Sequence, residues 1–257
     1  MSRRPLALRD GHTLGAWTSI GHPQITEIFA GSGVDFIGID LEHSTISLEQ
    51  SQRIIAAAHA GGMACLPRLA SHNGEHIKRL LDSGADGVIV PMVSTPEEVQ
   101  RVADWVRYPP VGKRSFGVAR AQNYGFEFAE YTKAWNERAT IVIQIESVEG
   151  VRRAEELVSH EAVDGAMIGP YDLSGSLGIP GQLTHPDVTA ACESLIAACK
   201  RHGKAAGTHL VDPSEAEVKD AFARGYTFVV LASDVFVLWK WAERMRGVMT
   251  IRDGQRR

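Results

Sequence analysis

The sequence predicts a single domain with the (β/α)8 architecture of the TIM barrel. Eight short apolar segments alternate with longer segments of helical periodicity, the pattern of a parallel sheet covered by helices. The chain has 257 residues and no linker-like stretch, and α/β barrels commonly fill about 250 residues as one domain. We therefore expect residues 1–257 to form one barrel domain.

A doubly wound open sheet is the alternative fold for this alternating pattern. Such a sheet usually carries a glycine-rich dinucleotide-binding turn directly after its first strand. The candidate glycines, Gly31 and Gly33, precede a strand instead. This placement favours the closed barrel.

The predicted strands are short and mostly apolar on both faces, as expected for strands buried between helices. In chain order they are Thr13–Ser19, Phe36–Asp40, Ala64–Arg68, Gly87–Pro91, Thr140–Ile145, Gly165–Ile168, Lys204–Thr208 and Thr227–Leu231.

The predicted helices lie between these strands, and several end at a glycine, the residue that most readily adopts the left-handed conformation after a helix. They are Pro23–Gly31, Leu48–Ala60, Gly74–Ser83, Pro96–Val106, Val148–Val158, Pro186–His202 and Ser214–Arg224. A last helix, Val235–Val248, is apolar and aromatic. We expect this helix to pack on the barrel wall or on a neighbouring subunit.

Composition and charge exclude several classes of partner. The 27 basic and 31 acidic residues give a net charge of −4, so nucleic acid is not an expected partner. No apolar run reaches the about 18 residues of a membrane span, and the N-terminus lacks a signal-peptide core. The three cysteines, Cys65, Cys192 and Cys199, have no metal-site spacing and do not suggest a disulfide framework. A cytoplasmic enzyme without a membrane partner is therefore expected.

Polar and ionisable side chains gather where the predicted strands end, which in a TIM barrel is the position of the active site. The bodies of the strands are almost uncharged. Burying this many charges is costly unless they pair or bind a metal ion. The candidate residues are Asp40, Glu42, His43, Arg68, Gln144, Glu146 and Asp172.

The types of these residues predict a particular chemistry. Glu146 and Asp172 follow neighbouring strands, and two carboxylates form a hard oxygen site suited to Mg²⁺ or Mn²⁺. Arg68 offers a planar fork for a substrate carboxylate, and His43 beside Asp40 can act as a base near neutral pH. Together they predict an enzyme that binds a 2-oxo acid and stabilises its enolate. Gln144 shares a strand face with Glu146 and can bond the substrate or a metal-bound water.

Longer segments carry a family resemblance from Trp17 to about Asp234. Taken in order, the sequence resembles the HpcH/HpaI aldolases, metal-dependent (class II) pyruvate aldolases that cleave 4-hydroxy-2-oxo acids. The resembling segments are Gly15-Ala-Trp17, Phe36–His43, Pro67-Arg68, Leu80–Ala85, Val90-Pro91-Met92-Val93, Arg107–Arg114, Gln144-Ile-Glu146 and Gly165–Ser174.

The resemblance implies an aldehyde-lyase that reversibly splits a 4-hydroxy-2-oxo acid into pyruvate, or hydroxypyruvate, and an aldehyde. It implies a divalent metal ion (Mg²⁺, Mn²⁺ or Co²⁺) held by Glu146 and Asp172, and no organic cofactor. It further implies that Arg68 binds and polarises the 2-oxo acid, and that His43 with Asp40 is the acid/base pair.

Other positions receive supporting roles from the same resemblance. Gln144 is a helper beside the metal, and Trp17 lines the site wall. The backbone around Gly169, Pro170 and Tyr171 is expected to seat the pyruvate carboxylate. Asp82 is expected to reach the site of an adjacent subunit, which implies a homo-oligomer, typically a hexamer. Glu42 is expected either to contact the residues that bind the substrate, without touching the substrate itself, or to anchor its loop by hydrogen bonds.

Some positions differ from the family pattern. Leu41 and Ser115 stand where the family usually has glycine, and Tyr171 stands where alanine is frequent. Thr208 and His209 occupy positions that are commonly aliphatic and line the aldehyde pocket. His209 is therefore expected to bind substrate, and the changes at Tyr171 and His209 suggest a more polar aldehyde.

Two other functions remain possible at this level. One is a different metal–enolate lyase on the same scaffold, such as a 2-oxo acid decarboxylase. The other is a non-catalytic homologue that binds 2-oxo acids without turnover.

Overall fold

The computed structural model describes residues 6–8 and 11–254 of the chain. Eight parallel strands close into a barrel in sequence order, because the first strand pairs with both the second and the eighth. This confirms the predicted single TIM barrel. The strands are β1 (Thr13–Thr18), β2 (Phe36–Asp40), β3 (Ala64–Arg68), β4 (Gly87–Val90), β5 (Thr140–Ile145), β6 (Gly165–Ile168), β7 (Ala205–Leu210) and β8 (Phe228–Ser233).

Helices connect the strands on the outside of the barrel. They are α1 (Pro23–Ala30), α2 (Leu48–Ala60), α3 (Gly74–Asp82), α4 (Pro96–Val106), α5 (Phe128–Arg138), α6 (Val148–Arg152), α7 (Ala154–Ser159), α8 (Pro170–Ser176), α9 (Pro186–Arg201), α10 (Glu215–Arg224) and α11 (Asp234–Gly254), with a short 3₁₀ segment at Arg120–Gly125.

Local sequence explains where several helices begin. At α4 the side chain of Thr95 accepts a hydrogen bond from the backbone N–H of Glu98, whose own carboxylate bonds the backbone N–H of Thr95. This reciprocal pair satisfies N–H groups that the first turn leaves open. Pro96 occupies the first helical position, where its missing N–H costs nothing. Helices α2 and α10 begin with the same arrangement.

The structure differs from the sequence prediction in a few elements. The single helix predicted over Val148–Val158 is two helices, separated at Arg153, whose φ of −100° and ψ of 8° break the helix. Helices α5 and α8 were not predicted. Within α5 only Trp135 is buried, so its apolar periodicity is weak. Helix α8 starts directly after β6, within the segment that reads as a polar strand end.

The interior of the barrel is filled by alternate residues of the strands, as the two-residue period of a strand requires. Two glycines make room for the largest rings. A Cβ at Gly15 would lie 2.3 Å from the ring of Phe36, and one at Gly207 would lie 1.9 Å from the ring of Phe228. Other side chains of this interior layer are Leu66, Ile89, Val142, Met167 and Val230.

The C-terminal helix α11 is joined firmly to the barrel at its first residue. The carboxylate of Asp234 accepts hydrogen bonds from the hydroxyl of Thr18 and the backbone N–H groups of Ser19 and Ile20. Beyond this point the helix leaves much of its apolar surface uncovered: Trp239 is 51% exposed and Trp241 is 55% exposed. The two expected placements of this helix, on the barrel wall or on a neighbouring subunit, stay predictions.

Within residues 6–8 and 11–254, no helix combines the length and the hydropathy that crossing a membrane requires.

Candidate active site

The interior-facing positions continue upward from the filled core to the carboxyl ends of the strands, and there they become polar. Trp17, Asp40, Arg68, Gln144 and His209 belong to this layer. Asp40 and Arg68 are direct neighbours in the register between β2 and β3. The ring of Trp17 lies 5.1 Å from the guanidinium of Arg68 and 5.6 Å from the imidazole of His209. The barrel therefore brings together five side chains that are far apart in the sequence.

Arg68 is held between two carboxylates. Its Nε donates to Oδ1 of Asp40 at 3.1 Å and its Nη2 donates to Oδ2 at 2.8 Å, which is a bidentate pair. Its Nη1 lies 3.1 Å from Oε2 of Glu42. This arrangement fixes the plane of the guanidinium at the mouth of the barrel.

The pKa values of the two carboxyl groups beside Arg68 shift in opposite directions. Burial acts to raise the pKa of Asp40, but the two hydrogen bonds and the charge of Arg68 outweigh it, so this pKa lies below its usual value. Burial also raises the pKa of Glu42, and there the attraction of Arg68 and His43 does not compensate. Asp40 is thus the firmly ionised partner of Arg68.

His43 does not pair with Asp40 through its side chain. The backbone N–H of His43 donates to Oδ1 of Asp40 at 3.1 Å, whereas its imidazole is 65% exposed and its Nε2 lies 3.8 Å from Oε2 of Glu42. The expected orientation of the imidazole by Asp40 is corrected accordingly. The physical reason is that Arg68, in register on the next strand, presents two N–H groups to the same carboxylate.

Glu146 is the most deeply buried carboxylate of the site, with 3% of its surface exposed. Its Oε2 accepts a hydrogen bond from the backbone N–H of Met92 at 2.9 Å, and its Oε1 accepts one from Nε2 of Gln144 at 3.3 Å. Burial raises its pKa to about 7. The bond from Met92 opposes this shift, and the negative charges of Glu42 and Asp172 add to it.

Asp172 lies in the first turn of α8, exposed to solvent, at the end of β6 next to the end of β5. Its charge raises the pKa of both Glu146 and Glu42, which places it in the same electrostatic environment. Within the described part of the chain no group of three His, Cys, Asp or Glu side chains is arranged to hold a metal ion. The assignment of a metal ion to Glu146 and Asp172 stays a prediction.

The residues present nevertheless fit a hard divalent cation. All available donors are oxygen atoms, as Mg²⁺ and Mn²⁺ prefer. Oε1 of Gln144 is buried next to Glu146, and the described residues offer it no hydrogen-bond partner. A cation near Glu146 would also favour the ionised carboxylate that burial disfavours.

The remaining predicted positions fall into two groups. Gly169, Pro170 and Tyr171 lie at the start of α8, beside Glu146, and Tyr171 is exposed. Asp82 ends α3, and it accepts a hydrogen bond from Nη2 of Arg114 of its own chain at 2.8 Å. The Arg114 side chain is completely buried. A role for Asp82 in the site of a neighbouring subunit stays a prediction.

Sequence reasoning missed the contribution of the Met92 backbone. Met92 has a φ of 54°, in the left-handed region that non-glycine residues rarely adopt. This conformation occurs where the backbone N–H of Met92 bonds Glu146, directly after β4. A methionine gives no sequence signal for a positive φ, so this position could not be found in advance. Strained backbone of this kind is frequent at functional sites.

The structure is thus an α/β barrel in which carboxylates and one arginine gather at the carboxyl ends of the strands. The model of the HpcH/HpaI aldolase/citrate lyase family matches residues 13–240. The chain belongs to this family. It is an enzyme, a carbon–carbon lyase of the class II aldolase type, and a requirement for a divalent metal ion is general in the family.

Individual relatives agree with this assignment. The 5-keto-4-deoxy-D-glucarate aldolase of Shigella dysenteriae is 34% identical over 224 residues, which is 87% of each chain. The crystal structure of an HpcH/HpaI aldolase from Desulfitobacterium hafniense is similar with a TM-score of 0.85 at 29% identity, covering 94% of this chain and 93% of that one. A family protein from Burkholderia cenocepacia gives a TM-score of 0.87 at 28% identity, covering 96% and 97%.

Proposed function

We propose that this aldolase reversibly cleaves a 4-hydroxy-2-oxo acid into pyruvate, or hydroxypyruvate, and an aldehyde. The observation that carries the proposal is the position of Arg68. It is fixed by Asp40 and Glu42 in the barrel mouth that also holds the buried carboxylate of Glu146. A cationic fork beside a carboxylate pair is suited to a 2-oxo acid and to the negative charge of its enolate. The S. dysenteriae relative is named for a keto-deoxy sugar acid, which supports this substrate class.

Glu146 and Asp172 would hold a divalent cation, Mg²⁺, Mn²⁺ or Co²⁺, with Gln144 beside them, and no organic cofactor is needed. When bound, such an ion supplies Lewis-acid polarisation of the 2-oxo group. The support is the oxygen-only donor set and the unpartnered Oε1 of Gln144.

Arg68 would bind the 2-oxo acid and neutralise the oxygen that becomes negative in the enolate. Its fixed plane means that little reorganisation is needed when charge develops. Trp17 packs against Arg68 as part of the site wall, and its indole hydrogen-bonds Asp40. We place the substrate carboxylate against the backbone of Gly169, Pro170 and Tyr171.

His43 would move the proton. In cleavage it takes the proton of the C4 hydroxyl, the bond between C3 and C4 breaks, and the electron pair of that bond enters the enolate. The C4 fragment leaves as the aldehyde, and return of that proton from His43 to C3 of the enolate gives pyruvate and restores the neutral imidazole. The exposed imidazole at the barrel mouth, with Glu42 as its nearest carboxylate, supports this role. Asp40 contributes by holding Arg68 and the backbone of His43.

We further propose that the enzyme is a cytoplasmic homo-oligomer, a hexamer by its family resemblance, whose partners are the 2-oxo acid and the aldehyde rather than nucleic acid or membrane. The uncovered apolar side chains of α11 support packing of residues 235–248 on a neighbouring subunit. They are Val235, Val237, Leu238, Trp239, Trp241 and Val248.

An aldol assay tests the proposed reaction. Pyruvate and a panel of aldehydes are incubated with the enzyme and added Mg²⁺, Mn²⁺ or Co²⁺, against a chelated control, and both synthesis and cleavage are followed. Metal-restored carbon–carbon bond formation is expected. Decarboxylation of oxaloacetate without any aldol reaction would instead identify another metal–enolate lyase. Metal-dependent binding of pyruvate without turnover would identify a binding homologue.

A further inference from the structure

His72 lies in the loop between Arg68, at the end of β3, and helix α3, and it is half-buried. Its Nε2 lies 2.7 Å from the carbonyl oxygen of Pro91, the residue directly after β4. A carbonyl oxygen accepts hydrogen bonds and donates none, so Nε2 carries the proton and donates. This bond joins the loop that follows Arg68 to the segment that leaves β4.

The place of Pro91 in the sheet explains why its carbonyl has a side-chain partner. Between β3 and β4, the carbonyl of Ile89 accepts a hydrogen bond from the backbone N–H of Leu69 at 2.9 Å. The carbonyl of Pro91 points to the same side, because the groups of a strand alternate with a period of two. Strand β3 ends at Arg68, and His72 supplies an N–H group where the strand would have continued.

The peptide group that His72 holds is also the one that bonds Glu146. The carbonyl of Pro91 and the N–H of Met92 belong to one planar unit. This N–H donates to Oε2 of Glu146 at 2.9 Å. His72 and Glu146 therefore hold opposite ends of one peptide plane. Fixing the carbonyl fixes the direction of the N–H, and a hydrogen bond accepted by the carbonyl strengthens the one that the N–H donates.

This peptide group precedes a strained residue, so its orientation depends on the contacts around it. The φ of 54° at Met92 is a conformation that persists only where surrounding structure enforces it. Beyond Met92, the backbone N–H of Val93 donates to the carbonyl of Gln144 at 3.0 Å, which holds the segment to β5. His72 holds the same segment from the side of β3. Loss of its bond would leave the carbonyl free to rotate away.

We propose that His72 is a positioning residue for Glu146. By donating to the carbonyl of Pro91 it aims the Met92 N–H at Oε2 of Glu146, and so holds this carboxylate in one orientation. The inference rests on the proposed function for its consequence and deepens it, because Glu146 would hold the divalent cation. Groups that orient metal ligands by hydrogen bonds typically change metal affinity or activity by about 10–100-fold when they are removed.

The test measures Mn²⁺ affinity by isothermal titration in matched variants. His72→Phe keeps a ring and removes the donor, and its Kd for Mn²⁺ is expected to rise about tenfold. His72→Gln offers an amide N–H to the same carbonyl and is expected to recover most of the affinity. His76→Phe is the control, because His76 is also half-buried and lies in the first turn of α3. A loss of affinity that His72→Gln does not recover would overturn the proposal.

Hydrogen–deuterium exchange of the segment that contains Met92 gives a second readout, which needs neither metal nor turnover. In metal-free His72→Phe the Met92 amide is expected to exchange about fivefold faster than in wild type, the worth of one hydrogen bond. His72→Leu replaces the phenylalanine variant if that protein does not fold. Equal exchange in the folded variant and wild type would overturn the role of His72 and leave the proposed function intact. Wild-type protein that binds no Mn²⁺ would overturn the metal assignment, and the exchange comparison would still decide the role of His72.

Discussion

The carboxylate of Glu146 occupies space that exists only because residue 169 is glycine. A Cβ built on Gly169 would lie 2.2 Å from Oε1 of Glu146. The backbone of Gly169 has a φ of −87° and a ψ of 94°, which other residues adopt without strain. The glycine is therefore required for the close approach of the carboxylate and not for an unusual backbone conformation.

Gly169→Ala is expected to displace the Glu146 carboxylate and to weaken metal binding about tenfold, a typical effect of overpacking a close contact. Isothermal titration with Mn²⁺ measures the affinity. Gly175→Ala is the matched control, since it lies in the same helix and its added Cβ would meet nothing within 4 Å. Equal affinities for both variants would contradict the steric argument.

Glu146→Gln and Asp172→Asn are each expected to abolish metal-dependent turnover. They should also remove the stabilisation that a bound ligand confers. At a metal concentration of about 100 times Kd the wild-type melting temperature should rise by roughly 5–10 °C. Thermal unfolding with and without Mn²⁺ measures this shift. The control is Glu149→Gln, an exposed glutamate on α6. A metal-induced shift that survives in Glu146→Gln would place the ion elsewhere.

Arg68→Lys keeps the positive charge but loses the planar guanidinium, which hydrogen-bonds Asp40 and forms an ion pair with Glu42. We expect kcat/KM to fall about a hundredfold with the fold retained, because a lysine cannot replace a bidentate arginine. Steady-state kinetics and circular dichroism measure the two properties. Arg53→Lys, an exposed arginine paired with Glu49 on α2, provides the control. Retention of more than half the wild-type kcat/KM in Arg68→Lys would be inconsistent with the proposed role.

The lowered pKa of His209 predicts that the stability of the fold depends on pH. Its pKa is about 4 in the folded protein and about 6.5 in an unfolded chain. Between these values the unfolded chain binds the proton and the folded protein does not, so the contribution is complete above pH 6.5 and is lost as the pH falls towards 4. The loss by pH 4 is about 3 kcal/mol. Urea unfolding at several pH values measures it in the wild type against His209→Phe, in which this part of the pH dependence should disappear.

Trp241→Glu is expected to disrupt the proposed packing of α11 and to yield a smaller particle. Light scattering after size-exclusion chromatography gives the mass. Ile28→Glu changes an apolar side chain of α1 that is also exposed and serves as the control. An unchanged mass in Trp241→Glu, or the same reduction in both variants, would argue against an interface at α11.

The sequence was sufficient to predict the strands and which residues lie at the barrel mouth. Both follow from local patterns: apolar runs define the strands, and polar residues at their ends must face the mouth. Strands β7 and β8 continue past their predicted ends, to Leu210 and Ser233. These extensions are fixed by pairing with neighbouring strands, which a local apolar pattern does not reveal.

The contacts within the site were harder to predict. The register of β2 against β3 aligns Asp40 with Arg68. The carboxylate of Asp40 therefore pairs with the side chain of Arg68 and not with that of His43. Sequence adjacency instead suggested His43. The hydrogen bond from His72 to Pro91 likewise depends on where β3 ends beside β4 and has no local signature.

Closure of the barrel by β1 and β8 has a consequence for synthesis of the chain. Thr13 pairs with Phe228, and Asp234 binds the backbone after β1. During translation one edge of β1 therefore stays unpaired until β8 has left the ribosome. An exposed strand edge is prone to pairing with other chains. Nascent chains truncated before residue 228 should thus be the species that depends most on chaperones.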